Sequence, residues 1–339
     1  WAVGIHRTRC NRFVSSGTEL KAAAITERHR RHAPPENAID LPPDDNVYTH
    51  VSLLLLALLL MSSANALLPG PRAGFSSGFT AVTSAAGSVP SAFPDLSIDF
   101  GLLKPRVGEV LSESHASESA WVLLHGAAEL EFAGQRATVR RANLFDEPPS
   151  ALHLGPGTPV IIRTLLPDTE WAVVRTPNDR RLEPRLFTPA ELRPEYRGAG
   201  LVQNAALRNV RLIFDRAARP DSNLVLGEVV NFPGRWSSYP PHHHDQPEIY
   251  HYRFTAPAGY GHAELGDDVL KIRHGDTVVI PPGLDHAQVS APGYGMYYLW
   301  MIRHLPGNPY TGFTFAEEHK WTLDPRQQGW RPHDLPPLI

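Results

Sequence analysis

The residues of this chain best suited to chemistry are His242, His244, Glu248 and His286. They fall in two short segments, Pro241-His-His-His-Asp-Gln-Pro-Glu248 and Gly275-Asp-Thr-Val-Val-Ile-Pro-Pro-Gly-Leu-Asp-His286. Imidazole and carboxylate are the donors that hold a divalent transition ion where no thiolate is used. A His-x-His pair puts both rings on one face of a strand, because side chains alternate with period two. His242 and His244 then point together and His243 points away. Gly275 and Asp276 form the turn into a further strand. Pro281-Pro-Gly283 ends that strand and aims His286 back at the pair. One divalent metal ion, Zn, Mn or Fe, is the expected cofactor. A solvated loop could hold the histidine triplet by chance in a chain with 17 His. Chance does not account for Glu248 at its offset together with the Gly275 to His286 pattern.

The strand after the triplet divides into two faces by the same alternation. Glu248, Tyr250 and Tyr252 share the metal-facing side, and Ile249, His251 and Arg253 share the other. Tyr250 and Tyr252 are therefore expected in one cavity with the ligands, although core filling accounts for Tyr250 equally well. Asp245 is expected to orient a ligand histidine or to cap its loop.

These residues need β-strands to position them, and the rest of the chain supplies them. The chain has 339 residues, of which 42% are hydrophobic and 20% charged, enough for a real core and two ordinary domains. The 33 prolines fall between short apolar runs, as in an all-β protein. One set of runs includes 120–125, 128–132, 152–154, 158–164 and 171–175, with the segment from Ala120 to Gly134 reading as a hairpin. A second includes 223–230, 248–253, 261–265, 269–273, 277–280, 287–289 and 296–301. Two such sets predict two jelly-roll β-barrels. The expected divisions are 1–95 as an extension outside the fold, 96–205 as a first barrel without metal, 206–325 as a metal-binding barrel, and 326–339 as a tail. The first half offers only the isolated histidines His115, His125 and His153, expected to be structural. Its barrel is read as a packing and oligomerisation partner.

Composition narrows the partners. Net charge is −3, so no basic field points to nucleic acid. Cys10 is the single cysteine, which excludes an internal disulfide framework. The apolar run 51–61 is shorter than the roughly 20 residues of a membrane span, so no stable membrane span is expected. It has the length of a signal-peptide core, with Ala64-Asn-Ala66 as an A-x-A cleavage pattern. No basic segment directly precedes it, and a short helix is the competing reading. The first methionine is Met61, so the start at Trp1 is expected to be a fragment edge or a misplaced initiation site.

Longer segments carry a family likeness. Gly234-Arg-Trp-Ser-Ser-Tyr-Pro-Pro-His-His-His-Asp245, Glu248-Ile-Tyr-His-Tyr-Arg253, Gly275 to Pro281 and Ala291 to Leu299 resemble the 5-deoxy-glucuronate isomerases of myo-inositol catabolism. These are bicupins related to the uronate ketol-isomerases of pectin breakdown. Val122 to Gly126, Phe145 to Pro149, Ala151 to Thr158 and Tyr196 to Gly200 resemble the same family's first cupin, so the likeness covers roughly 102–325. It places the metal ligands on His242, His244, Glu248 and His286. It implies an aldose–ketose isomerisation of 5-deoxy-D-glucuronate to 5-dehydro-2-deoxy-D-gluconate, a small-molecule uronate as partner, self-association left open, and a cytoplasmic enzyme unless the N-terminus carries a targeting signal. The metal would serve as the Lewis acid. Asp285 and Tyr252 are the candidates for the proton-transfer base. Arg253 is the first choice for the substrate carboxylate, with Arg273 and Lys271 behind it, although alternation puts Arg253 on the wrong face. The chain departs from the family in a shorter stretch between His244 and Glu248, in His243 where the family has Lys, and in one extra residue before His286. Two other functions fit the same ligands: an Fe(II)-dependent cupin oxygenase, and a non-catalytic sugar-binding cupin.

Overall fold

The computed structural model describes residues 66–84 and 96–333. The apolar run 51–61 lies outside the described residues. The fold is all-β and consists of two barrels within one compact unit.

The first barrel is built on one long strand, Glu118–Phe132. Its register shifts between Leu123 and His125, and Gly126 follows with φ of 95°. A Cβ at Gly126 would lie 2.3 Å from Thr169 Oγ1, so only glycine fits this bend. The bend lets one strand serve both layers. Its first half pairs with Ala151–Leu154 and Glu170–Thr176, and its second with Gln135–Arg141 and Val160–Thr164. Gly126 thus bends the chain without reversing it. The hairpin turn is at Ala133 and Gly134, with φ of 47° and 73°.

The second barrel has two sheets. The larger runs, in spatial order, Leu67–Leu68, Thr277–Ile280, Glu248–Phe254, Met296–Arg303, Leu224–Asn231, Arg208–Phe214 and Glu195–Arg197. The smaller runs Asp268–Arg273, Tyr260–Leu265, His286–Ser290, Trp236–His243 and Thr314–Phe315. Tyr250, Tyr252, Phe254, Leu265, Ile272, Val278 and Tyr298 pack between them.

Two expected boundaries are corrected. Residues 66–84 do not stand outside the fold. Leu67–Leu68 pairs with Thr277 and Val278 in the second barrel, and Gly78–Thr83 pairs with Phe100–Lys104 in the first. Phe75 between them is buried in the core shared by the barrels. The reason is pairing at sheet edges, which needs only a few residues and leaves little periodicity to read. The division at 205 is also displaced, because Glu195–Arg197 already pairs with Arg208–Val210 of the second barrel.

The core between the barrels joins Ile98, Phe100, Val122 and Phe187 of the first to Phe214, Leu226, Ile249, Tyr297 and Met301 of the second. Inside it, Glu228 accepts from Arg141 at 2.6 and 3.1 Å, from Arg211 at 2.8 Å and from the Tyr297 hydroxyl at 3.0 Å. A buried carboxylate is tolerable only with its charge and lone pairs met in this way.

Candidate metal centre

Trp236–His243 lies antiparallel to His286–Ser290, with His242 and His286 as register partners. Their ring centroids are 4.4 Å apart. His244 follows directly, and residues 245–247 cross to the other sheet, where Glu248 opens its strand. The Pro281-Pro-Gly283 turn is fastened to this crossing: Gly283 N donates to the His244 carbonyl at 2.8 Å, and Gly283 has φ of 73°. That bond sets where the next strand starts, and hence where His286 points.

His244, Glu248 and His286 offer ligand atoms that all lie within 4.8 Å of one another, and all three residues are buried. Glu248 Oε2 is 3.0 Å from His244 Nε2 and 3.4 Å from His286 Nε2. An ion bound at about 2.1 Å by each ligand separates neighbouring donor atoms by roughly 3.0–3.4 Å at octahedral or tetrahedral angles. The tautomers agree. His286 Nδ1 donates to the Leu284 carbonyl at 3.1 Å, and His242 Nδ1 donates to the Ser238 carbonyl at 3.2 Å. A carbonyl can only accept, so both Nε2 atoms carry lone pairs, as ligand histidines require. His286 Nε2 and His244 Nδ1 are buried without a hydrogen-bond partner among the described residues. The donor set therefore fits a divalent ion. His242 stands beside the cluster of three, its ring against that of His286.

Charge in the site is set by burial and mutual contact. Burial pushes the Glu248 carboxyl up, but the hydrogen bond from His244 and the nearness of the His286 ring outweigh it and hold it down at about 2. Burial, then His286, lowers His242 to about 3. At neutral pH Glu248 is an anion and His242 is neutral, the forms that bind metal.

The cluster opens into a cavity of about 210 Å³ lined by His242, His244, Glu248, Tyr250, Tyr298 and Arg208, among others. The sequence pattern of the KduI/IolB family matches residues 88–322, well over half of the chain. This chain belongs to the KduI/IolB family. The 5-deoxy-glucuronate isomerase of Geobacillus kaustophilus is 30% identical over 232 residues, covering 62% of this chain and 80% of that protein. That of Geobacillus thermodenitrificans is also 30% identical, covering 62% and 81%. The crystal structure of an IolB-like protein from Salmonella typhimurium LT2 superposes with a TM-score of 0.66 at 24% identity, covering 76% of this chain and 99% of that one. Oxalate decarboxylase of Bacillus subtilis shares the bicupin fold with a TM-score of 0.52 at 11% identity, covering 71% and 76%. The chain is thus an enzyme of the isomerase class in sugar metabolism.

Against this family member's structure, the residues expected from sequence sort clearly. Tyr250 lines the cavity, with its ring 5.8 Å from His286. Tyr252 is on the same strand face but deeper, fully buried, its hydroxyl 3.4 Å from Gln288 Oε1 and outside the cavity lining. Asp285 is corrected as a catalytic candidate. Alternation turns it outward from His286, and it accepts from His243 Nδ1 at 2.8 Å on the barrel exterior. Arg253 is corrected as a substrate contact: it points at the first barrel and pairs with Glu170 at 2.8 Å. Arg273 is exposed in the same outer cleft as Arg253 and Glu170, away from the cluster. Asp245 accepts from Asn308 Nδ2 at 3.0 Å, as a loop clasp.

The sequence reading missed Arg208, Arg197, Tyr298, Tyr310, Phe313 and Phe315, all of which line the cavity. Phe313 lies 4.3 Å and Phe315 6.1 Å from the His242 ring, by centroids. Tyr310 meets His244 edge-on at 5.0 Å. Phe313 and Phe315 at i and i+2 carried a weak strand signal. For Arg208 the signal was alternation with Val210 and Leu212, an arginine at the end of an inward-facing apolar row.

Proposed function

We propose that the enzyme converts 5-deoxy-D-glucuronate to 5-dehydro-2-deoxy-D-gluconate with one divalent metal ion held by His242, His244, Glu248 and His286. One observation carries the reading. In a family whose relatives are named 5-deoxy-glucuronate isomerases, this chain buries a His–Glu–His cluster with unpartnered imidazole nitrogen at the wall of a cavity.

The reaction moves the carbonyl from C1 to C2. One proton passes from C2 to C1 and another from the C2 hydroxyl to the C1 oxygen, and no external oxidant or reductant is needed. When bound, the ion supplies Lewis-acid stabilisation of the negative charge that develops on the two oxygens. The ligands suit that chemistry, because three neutral imidazoles and one carboxylate leave a divalent centre with a net charge near +1. Burial raises the Tyr250 phenol well above its usual range, and it raises Tyr310 as well. Both hydroxyls stay protonated at neutral pH and can donate to substrate oxygens. Phe313 and Phe315 lie against His242 and keep that side of the cluster dry.

The deciding experiment is NMR of the metal-loaded protein with 5-deoxy-D-glucuronate in D2O. Ketose signals and solvent deuterium at the product carbon are expected, with unchanged turnover under anaerobic conditions. No ketose from metal-loaded protein would overturn the reading.

A further inference from the structure

Three arginines directed into this protein's interior meet carboxylates. Arg141 and Arg211 share Glu228, and Arg253 pairs with Glu170. Arg208 differs. It lines the cavity of the His–Glu cluster, and no carboxylate among the described residues lies within ion-pair distance. Its described hydrogen bond runs from Nη1 to the Ala206 carbonyl at 2.9 Å, which leaves most of the guanidinium fork unused.

Its neighbour sharpens the point. Arg197 and Arg208 are register partners across antiparallel strands, and both line the cavity. Like charges directly opposite one another weaken a strand pair. Arg197 is met by Glu195, through Nε at 3.0 Å and Nη2 at 2.9 Å. Arg208 has no such offset among the described residues. Burial lowers its affinity for a proton, Tyr298 and Tyr250 act to raise it, and Arg197 acts to lower it further. Arg208, Val210 and Leu212 face the cavity by alternation, while Arg211 on the other face joins Glu228. The strand therefore presents one planar cation to the cavity at its edge.

We infer that Arg208 is the carboxylate-binding residue of the cavity, receiving the substrate's acid group while the carbonyl end faces His244, Glu248 and His286. This rests on the uronate-isomerase reading and adds to it the residue that distinguishes a uronate from a neutral sugar. A guanidinium fork matches a carboxylate with two parallel hydrogen bonds.

The test compares wild type, Arg208→Gln and Arg208→Lys. For 5-deoxy-D-glucuronate, Arg208→Gln should raise KM roughly 10- to 100-fold while changing kcat by less than about threefold, since hydrogen bonds to a charged group carry that range of affinity. Arg208→Lys, which keeps the charge but loses the fork, should fall between. The melting temperature of ligand-free Arg208→Gln should match or exceed wild type, because the opposition to Arg197 is removed. A structural role predicts a lower one. In calorimetry the wild type should prefer D-glucuronate to D-glucose, and Arg208→Gln should lose that preference. Should the wild type fail to turn over 5-deoxy-D-glucuronate, the isomerase reading falls, and the glucuronate preference still decides the role of Arg208. A wild-type KM in Arg208→Gln, or a glucuronate preference that survives the substitution, overturns the inference. If Arg208→Gln does not fold, Arg208→Lys decides by the same KM and binding measurements.

Discussion

His244 Nε2 stands 3.0 Å from Glu248 Oε2 although His244 follows the last residue of a strand in the smaller sheet and Glu248 opens a strand of the larger one. Three residues, Asp245-Gln-Pro247, make the crossing. Gln246 Nε2 donates to the Asn308 carbonyl at 2.9 Å and Asp245 accepts from the Asn308 side chain, so the crossing is clasped to the segment that carries Tyr310. The cluster is thus held by the closure of the barrel.

The first prediction orders three substitutions. His244→Ala and Glu248→Gln should each lower kcat at least a few hundredfold, because loss of a ligand removes several kcal/mol of Lewis-acid stabilisation, at about 1.4 kcal/mol per tenfold. His243→Ala should cost less than about threefold, since among the described residues the His243 side chain bonds to Asp285 on the outside, a surface pair of small worth. Steady-state kinetics would decide it. Equal damage from His243→Ala and His244→Ala would remove the ligand assignment.

Metal stoichiometry gives the second. Elemental analysis of gently purified protein should find about one equivalent of Zn, Mn, Fe or a similar ion. Chelation should abolish turnover and lower the melting temperature. Free metal at 100 times its dissociation constant stabilises by about 2.7 kcal/mol, which differential scanning calorimetry resolves. Two equivalents, or a melt indifferent to chelator, would count against the site.

A third concerns the N-terminal strands. A chain beginning at Ser97 lacks Leu67–Leu68, Phe75 and Gly78–Thr83, which pair with or pack on both barrels. It should unfold at lower urea concentration than a chain beginning at Ala66. Phe75→Ala alone should cost about 3 kcal/mol, the usual loss for a buried phenylalanine. Coincident urea curves for the two chains would show these strands to be dispensable.

The fourth is a pH dependence centred on His251. Its Nε2 accepts from Arg253 Nε at 3.0 Å, so Nδ1 carries the proton and donates to Thr277 Oγ1 at 2.9 Å. Burial, and then Arg253 and His274, hold its pKa well below the usual histidine value of 6.5. Above about pH 6.5 neither folded nor unfolded chain binds this proton, and stability is flat. Below it the unfolded chain binds the proton first, so stability falls toward the folded pKa. From pH 7.5 to 5.5 the loss is roughly 1.4 kcal/mol per buried neutral histidine. Urea melts of the metal-free protein should show a shallower slope for His251→Gln. An unchanged slope would mean that His251 does not govern acid sensitivity.

Much of this architecture could be read in the sequence because alternation is a strong signal where one sheet face is buried. It separated Tyr250 and Tyr252 from Ile249 and His251 correctly, and those two sets occupy different cores. It also turned His243 outward. What escaped was governed by pairing between distant segments. Leu67–Leu68 is two residues long, and nothing local in it announces a partner at Thr277 and Val278. The aromatic strap at 310–315 reaches the cavity through Thr314–Phe315 pairing with His242 and His243. Arg253 obeys the same alternation: it shares the face of Ile249 and His251 and pairs with Glu170 of the first barrel.

The strand Glu248–Phe254 carries Glu248, Tyr250 and Tyr252 on one side of its pleat and the docking surface for the first barrel on the other. The two halves of the gene therefore cannot be parted at this strand. A second barrel on its own would present Ile249, Leu299, Met301 and an unmatched Arg253 to water. Any one-barrel relative, natural or designed, must either recolour that wall with polar side chains or meet a copy of itself across it.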